Sequence, residues 1–494
     1  MKDWLEEAAG LHGKRDFIIT GKGSFSFNEL NEKAIYLAHF LYRDYKVERG
    51  DIAAVLSENN VDFIILLFAL WKLGAVPVPI NSRLNEYETD RLLNFLKPSH
   101  IVTIPSIDNN LIYKDAVIIE LAADLGVSAK DEFQEYGPTS KTFQNISFDE
   151  NNTSLILFTS GTSGNPKGVQ LSFHNLKASF ENSNTVLHHN GNDKWIASLP
   201  FYHIGGFSIF TRAILSGIPI IIPTSLKTEV LAESIFRHRP TFISLVSTQL
   251  KRFLEMGIKP YRELRCVLLG GGYIEDSLLD EAIKEGWPIS KVYGSTESSS
   301  LITYVDCIKN RDKKASGGKP LGNNQILVVN ERKEPVQINT MGEVAIISES
   351  CAKGYYNNLT ETINKFRSGI YYTGDSGYID DDGYLYIDSR MNDLIISGGE
   401  NINPMEIEAA LKEITGIKNA SVFGQEDEEW GHIVSAAIIT EQGFNISAIE
   451  INDQLLRKIS PFKIPKKYYF IYELPMGPLG KVQKDKLREI VKNY

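Results

Sequence analysis

Apolar positions recur along the chain with two different periods, and the way those periods alternate is the first organising signal. In "SFNELNEKAIYLAHFLYRDY" Leu30, Ala34, Leu37 and Leu41 return at close to helical spacing, which predicts a helix with one apolar stripe. Ser26, with Glu29 three positions on, predicts a capping box at its start. "IAAVLSEN" is a short apolar run and predicts a buried strand, whereas the longer "DFIILLFALWKLG", closed by Gly74, predicts a buried helix. "AVPVPI" follows as a short strand punctuated by prolines. Strand and helix therefore alternate, and that rhythm predicts a parallel sheet covered by helices. It returns at "IPIIIP", "TFISLVS", "RCVLLGGG" and "ISKVYGSTE". From about residue 317 the pattern shortens to alternating strands with turn residues between them, "GGKPLGNNQILVVN", "GEVAIIS" and "YLYIDS", which predict a small β-rich subdomain. The polar stretch "DSRMNDLI" reads as a linker, and a compact βα region runs from about residue 394 to the end.

Length and composition narrow the class. A chain of 494 residues exceeds one core and predicts several domains. Hydrophobic residues at 43% and charged residues at 23% fit a water-soluble globular protein. A net charge of −10 argues against a nucleic-acid backbone as partner. Cys266, Cys307 and Cys351 are far apart, so a reduced compartment is expected rather than a disulfide framework. "MKDWLEEAAG" has acids where a signal peptide needs an apolar core, and the longest apolar run, Phe63 to Trp71, is too short to span a bilayer. A cytoplasmic protein is the expectation, with the oligomeric state left open.

One loop carries the first chemical signal. After the apolar run Leu155–Phe158, the ten residues Thr159 to Gly168 hold three glycines, four hydroxyls and one lysine. Glycine lets backbone N–H groups approach a ligand, hydroxyls donate hydrogen bonds and lysine adds a charge, a combination suited to phosphates. It is not a Walker A loop. Counted from Gly161, that pattern's second glycine is Pro166, and Gly168 replaces its Ser or Thr. Zinc-ligand spacing, a G-x-S-x-G elbow and the dinucleotide fingerprint are all missing from the sequence.

Further loops follow in order: "YHIGG", "LLGGGY", "YGSTESSS", "YYTGDSGYIDDDGYLY", "SGGENINPMEIE" and "LPMGPLGKVQKDKL". In that order they resemble the adenylate-forming superfamily of acyl- and aryl-CoA ligases, from about residue 10 to 490. The resemblance implies an α/β fold. A large N-terminal domain (1–388) would hold two βαβ-type subdomains and the β-rich subdomain. A hinge (389–393) around Asn392 would lead to a small mobile α+β C-terminal domain (394–494). It implies ATP, Mg²⁺ and CoA as cofactor and co-substrates, and a small carboxylic acid as partner.

Residue by residue, the resemblance assigns Thr159, Ser160, Gly161, Thr162, Ser163, Gly164 and Lys167 to the ATP phosphates. It assigns Gly271, Gly272, Tyr293, Gly294, Asp375 and Arg390 to the rest of the nucleotide. Glu297, with Thr162, would bind the metal, and Thr296 and His203 would serve catalysis beside Lys481. Ser397, Gly398 and Gly399 would line the path of CoA. His203, Arg212, Thr248, Gln249, Gly270 and Ser300 would meet the acyl group, with Arg212 equally readable as a structural residue. The pattern around His203, Arg212 and "SLVSTQLKRFL" is most similar to the o-succinylbenzoate–CoA ligases of menaquinone biosynthesis. Two positions depart from the superfamily: Asn392 stands at the usual hinge Lys or Asp, and Lys484 stands where an arginine is usual. These two positions leave open a catalytically weak nucleotide-binding homologue, and Leu301, where the o-succinylbenzoate–CoA ligases often carry glutamine after Ser300, leaves open a fatty- or aromatic-acid ligase of the same fold.

Overall fold

The computed structural model describes residues 3–104, 116–121, 149–159, 166–272, 274–390, 394–441, 443–475, 482 and 484–492. The chain divides into two compact units. The first comprises Met1–Ser82, Leu96–Phe158 and Gly168–Asp388, and the second comprises Arg83–Phe95, Thr159–Lys167 and Ser389–Tyr494.

The first unit contains two sheets of the kind the alternating periods predict. In one, four parallel strands lie in the order Val76–Ile80, Ile52–Leu56, His100–Thr103, Val117–Glu120. In the other, six parallel strands run from Ile289–Tyr293 through Cys266–Leu269, Phe242–Leu245, Trp195–Ile196 and Ile220–Ile221 to Asp16–Thr20. Antiparallel strands border it on both sides, Thr303–Asp306 and Lys319–Pro320 at one edge and Gly23–Ser26 at the other. The parallel strands are short apolar runs because helices cover both faces. Ser26 and Glu29 form the expected capping box on the helix Phe27–Tyr45, and Leu30, Ala34, Leu37 and Leu41 are buried. The helix Val61–Leu73 is apolar on every face from Phe63 to Trp71, and every one of those residues is buried. Its Trp71 packs against Phe173 at 5.0 Å and donates its indole N–H to the Ser154 carbonyl at 2.8 Å.

The β-rich subdomain is antiparallel, in the order Gln325–Val329, Gly342–Ile347, Ile370–Ile379, Phe366–Arg367, with Leu385–Arg390 also paired to Ile370–Ile379. That last strand extends through Ser389 and Arg390, so the first part of "DSRMNDLI" is strand rather than turn: a polar sequence still pairs when its neighbour supplies the ladder.

The second unit is built on the sheet Glu400–Ile402, Ile395–Ser397, Gly431–Thr440, Ile417–Asp427, to which Lys467–Phe470 adds in parallel. Helices Pro404–Lys412 and Ala448–Leu455 pack Ile407, Leu411, Ile451 and Leu455 into its core. Arg83–Phe95 joins this unit through charge. The Glu88 carboxylate accepts from Ser460 and Lys463, Lys463 also reaches both oxygens of Glu406 at 3.0 Å, and Arg83 meets Glu400 at 3.0 Å. Burial raises the Glu88 pKa despite the opposing pull of Lys463, because a buried carboxylate is costly to charge.

Candidate active site

In the first unit, "YGSTESSS" folds back on itself after the strand Ile289–Tyr293. A single 3₁₀ turn, Thr296–Ser298, carries Glu297, and Ser299 and Ser300 then take φ of 55° and 92°. Such backbone costs about 1–3 kcal/mol per residue and persists only where its surroundings hold it. Here they do. The Ser299 hydroxyl donates to the Ser350 carbonyl at 2.7 Å, Ser179 donates to the Ser299 carbonyl at 2.6 Å, and the Ser300 N–H donates to Ser295 O at 3.0 Å. The turn closes so tightly on Gly294 that a Cβ there would lie 1.5 Å from the Ser300 carbonyl oxygen. Gly294→Ala is therefore expected to destabilise the protein by about 3 kcal/mol, the scale of a severe overpacking. Urea denaturation checks this; a midpoint equal to wild type contradicts it.

The Glu297 carboxylate is half-buried and, among the described residues, accepts one hydrogen bond, from the Tyr355 hydroxyl at 2.9 Å, while its backbone carbonyl accepts from Ala352 N–H at 2.7 Å. Among the described residues it has no cationic partner. Its charge is felt nearby. Burial first, then Glu297, pushes the Cys351 thiol up to about 12, and the same two causes raise the Tyr355 and Tyr371 hydroxyls. A hard divalent cation suits such an uncompensated carboxylate. Mg²⁺ takes one or two carboxylates and completes its shell with water and phosphate oxygens, so no cluster of protein ligands is needed, and among the described residues none occurs.

Beside it, the Tyr293 hydroxyl donates to Asp375 Oδ2 at 2.6 Å. Asp375 is buried at 5% exposure on the strand Ile370–Ile379, and its N–H donates to Thr373 Oγ1 at 2.9 Å. The strand ladder thus brings an aromatic ring and a carboxylate, 82 residues apart in sequence, into one hydrogen bond. Gly271 takes φ 87° after the strand Cys266–Leu269, with Gly270 and Gly272 on either side.

His203 stands at the N-cap of the helix Ile204–Ser216, half-buried, with its ring 4.8 Å from that of Tyr202. One face of that helix turns Arg212 into the interior at 2% exposure. Nη1 donates to Ser208 Oγ at 2.8 Å, Nε to Ser183 Oγ at 3.3 Å, and the guanidinium lies over Trp195 at 5.6 Å. Nη2 has no partner among the described residues, and burial lowers the Arg212 pKa to about 9. Ser208 in turn reaches Ser300 Oγ at 3.2 Å. Gln249 uses its amide on the backbone, accepting from Val246 N–H at 3.2 Å and donating to Ser198 O at 3.1 Å. Thr248 is half-buried one residue earlier on the same helix, Ser247–Glu255.

In the second unit, Gly398 and Gly399, with φ 56° and 87°, form a two-residue hairpin turn between Ile395–Ser397 and Glu400–Ile402. Two positive φ values in succession demand glycine-like residues. Thr159 ends one strand and Lys167, buried, opens the next. Ser160, Gly161, Thr162, Ser163, Gly164, Asn392 and Lys481 lie outside the described residues, as does the side chain of Arg390. The contacts of Tyr355, Ser208 and Ser183 were not legible: the two serines lie in ordinary helices, and Tyr355, on the short strand Gly354–Tyr355, is 58 residues from its partner Glu297.

The sheet order defines an α/β fold with glycine- and hydroxyl-rich loops at strand ends, and the chain matches the model of the AMP-binding enzyme family over residues 5–356 and that of the AMP-binding enzyme C-terminal domain over 406–481. The chain belongs to this family. It is 33% identical over 494 residues to the 2-succinylbenzoate–CoA ligase of Geobacillus sp. (strain WCH70), a match covering 99% of this chain and 98% of that one. Among solved structures it is similar to a double mutant of Bacillus subtilis o-succinylbenzoate CoA synthetase (MenE) bound to its product analogue OSB-NCoA, at TM-score 0.91, 30% identity, and 99% and 98% coverage. The same Bacillus subtilis enzyme in complex with the acyl-adenylate intermediate OSB-AMP matches at TM-score 0.74, also with 30% identity and 99% and 98% coverage.

Proposed function

We propose that this protein is an AMP-forming acid–CoA ligase that converts 2-succinylbenzoate, ATP and CoA to 2-succinylbenzoyl-CoA, AMP and diphosphate, as a step of menaquinone biosynthesis. The full-length likeness to ligases of that name supports the substrate. The observation that carries the chemistry is the half-buried Glu297, which has no cationic partner among the described residues, on the loop that follows Tyr293 of the Tyr293–Asp375 pair: a carboxylate suited to the Mg²⁺ of a nucleotide, with an aromatic ring for adenine and a carboxylate for ribose hydroxyls.

The reaction divides in two. The acid's carboxylate attacks the ATP α-phosphorus and diphosphate leaves, giving an acyl-adenylate. The CoA thiol then attacks the acyl carbon, and AMP leaves with the bonding electrons. Carboxylate is a poor electrophile; adenylation supplies the leaving group. The chain contributes position and charge. Thr159 to Lys167 would cradle the β- and γ-phosphates, Lys481 would meet the α-phosphate, and Ser397 to Gly399 would border the thiol's path after rotation about Asn392. The magnesium ion, held by Glu297 with Thr162, would offset phosphate charge. The acyl group would lie by His203 and Gly270, with Thr248 and Gln249 nearby and its second carboxylate at Ser300, backed by Arg212. Three water-soluble substrates accord with a cytoplasmic location, and among the described residues no helix is long and apolar enough to cross a membrane.

The test is AMP release in the presence of CoA, comparing 2-succinylbenzoate with benzoate and octanoate. We expect 2-succinylbenzoate to have the highest kcat/KM. Preference for octanoate or benzoate overturns the substrate and leaves the adenylate chemistry standing.

A further inference from the structure

We propose that Ser208 is a positioning residue for substrate choice: its hydroxyl links the buried Arg212 guanidinium to Ser300 and sets Ser300 to donate a hydrogen bond to the acid's second carboxylate. The proposal rests on the reading that this carboxylate docks at Ser300.

The geometry is a chain of three polar groups leading from the interior outward. Arg212 is 2% exposed and no described carboxylate neutralises it. Charge buried in this way is costly unless something offsets it. Among the described residues its contacts are neutral groups, the hydroxyls of Ser183 and Ser208 and the Trp195 face, and nearby His189, whose pKa falls to about 4 through burial and the repulsion of Arg212, stays uncharged. Arg212 is too deep to be a direct ligand without rearrangement, whereas Ser300 is half-buried at the end of the strained turn.

Ser208 has one proton and two acceptors within reach, the Gly205 carbonyl at 3.0 Å and Ser300 Oγ at 3.2 Å. It can serve only one at a time. When its proton goes to Gly205, the Ser208 lone pairs are left to Arg212 and to the Ser300 proton, and Ser300 then presents only lone pairs, which repel a carboxylate. When its proton goes to Ser300, the Ser300 proton is released outward and can meet an anionic oxygen. Arg212 donates to Ser208 in both arrangements and polarises its O–H, so the Ser208 proton is a strong donor to whichever acceptor takes it. An anion at Ser300 selects the second arrangement; a monocarboxylate gives no such selection. Ser208 therefore acts on discrimination between acids, through Ser300, and needs no contact with substrate.

The experiment measures kcat and KM for 2-succinylbenzoate and for benzoate in wild type, Ser208→Ala, Ser208→Cys and Ser300→Ala. The cysteine variant keeps the bulk of the side chain while weakening its hydrogen bonds, so it remains informative if the alanine variant folds poorly. The expected result is that the kcat/KM ratio of 2-succinylbenzoate to benzoate falls roughly fivefold to tenfold in both Ser208 variants and in Ser300→Ala, with the loss lying in KM. An unchanged ratio in the Ser208 variants alongside a reduced one in Ser300→Ala overturns the link and leaves carboxylate docking at Ser300 intact. An unchanged ratio in Ser300→Ala as well overturns the docking itself.

Discussion

Glu297→Gln is expected to lower kcat for adenylation roughly 100-fold while the protein stays folded. Glutamine keeps an oxygen in place to accept the Tyr355 hydroxyl, now 2.9 Å from Glu297 Oε1, so the packing around the 3₁₀ turn survives. What is lost is the negative charge, the part of the group that a hard cation requires. The loss of a preorganised charge interaction at a reacting phosphate costs on the order of 2.7–4 kcal/mol, and the lower end of that range corresponds to the 100-fold loss. A second readout separates charge from structure. Glu297 helps to hold the Cys351 thiol at about 12, so removing that charge lowers the Cys351 pKa, and alkylation of Cys351 at alkaline pH begins earlier in the variant. A variant with wild-type adenylation and an altered Cys351 profile would show that Glu297 shapes the local field without serving the reaction.

Lys481→Ala is expected to have the other large effect, and a one-sided one. Adenylation should fall by about 10²–10³-fold, because a cation placed against the carboxylate and α-phosphate offsets charge as the new bond forms. Thioester formation from supplied acyl-adenylate should keep most of its rate, since the second step expels AMP and does not bring two anions together. Stopped-flow measurement of each half-reaction decides it. Equal losses in both would mean that Lys481 supports the whole protein or both steps, not the first alone.

Much of the architecture was legible because short parallel strands and their covering helices leave different periods in the sequence. Leu30, Ala34, Leu37 and Leu41 mark a buried stripe, and Ser26 with Glu29 marks where the helix begins. The resemblance assigned the glycines of "YGSTE" and "SGGEN" to nucleotide and CoA, but their local steric settings, the Ser300 carbonyl over Gly294 and the two-residue turn at Gly398–Gly399, were not read from the sequence. Long-range pairings left no local trace. Nothing local to Tyr355 announces that it will meet Glu297, and nothing in "GGFSIFTRAI" separates the Ser208 hydroxyl from any helical serine. Burial of Arg212 was equally hidden: its face of the helix, with Ser208 one turn earlier, reads as polar, and it lies inside because the helix is covered on every side from Gly206 to Ile214. The grouping of Arg83–Phe95 with the carboxyl-terminal residues was hidden for the same reason, because it depends on Glu88 meeting Lys463, 375 residues away.

The measurement that bears most directly on the account is ATP–diphosphate exchange without CoA. If the reaction passes through an acyl-adenylate, labelled diphosphate must enter ATP when 2-succinylbenzoate is present, must not do so when the acid is left out, and must need no thiol. If exchange is absent without CoA while AMP still forms with CoA, the two-step mechanism is contradicted and the carboxylate is activated by some other route.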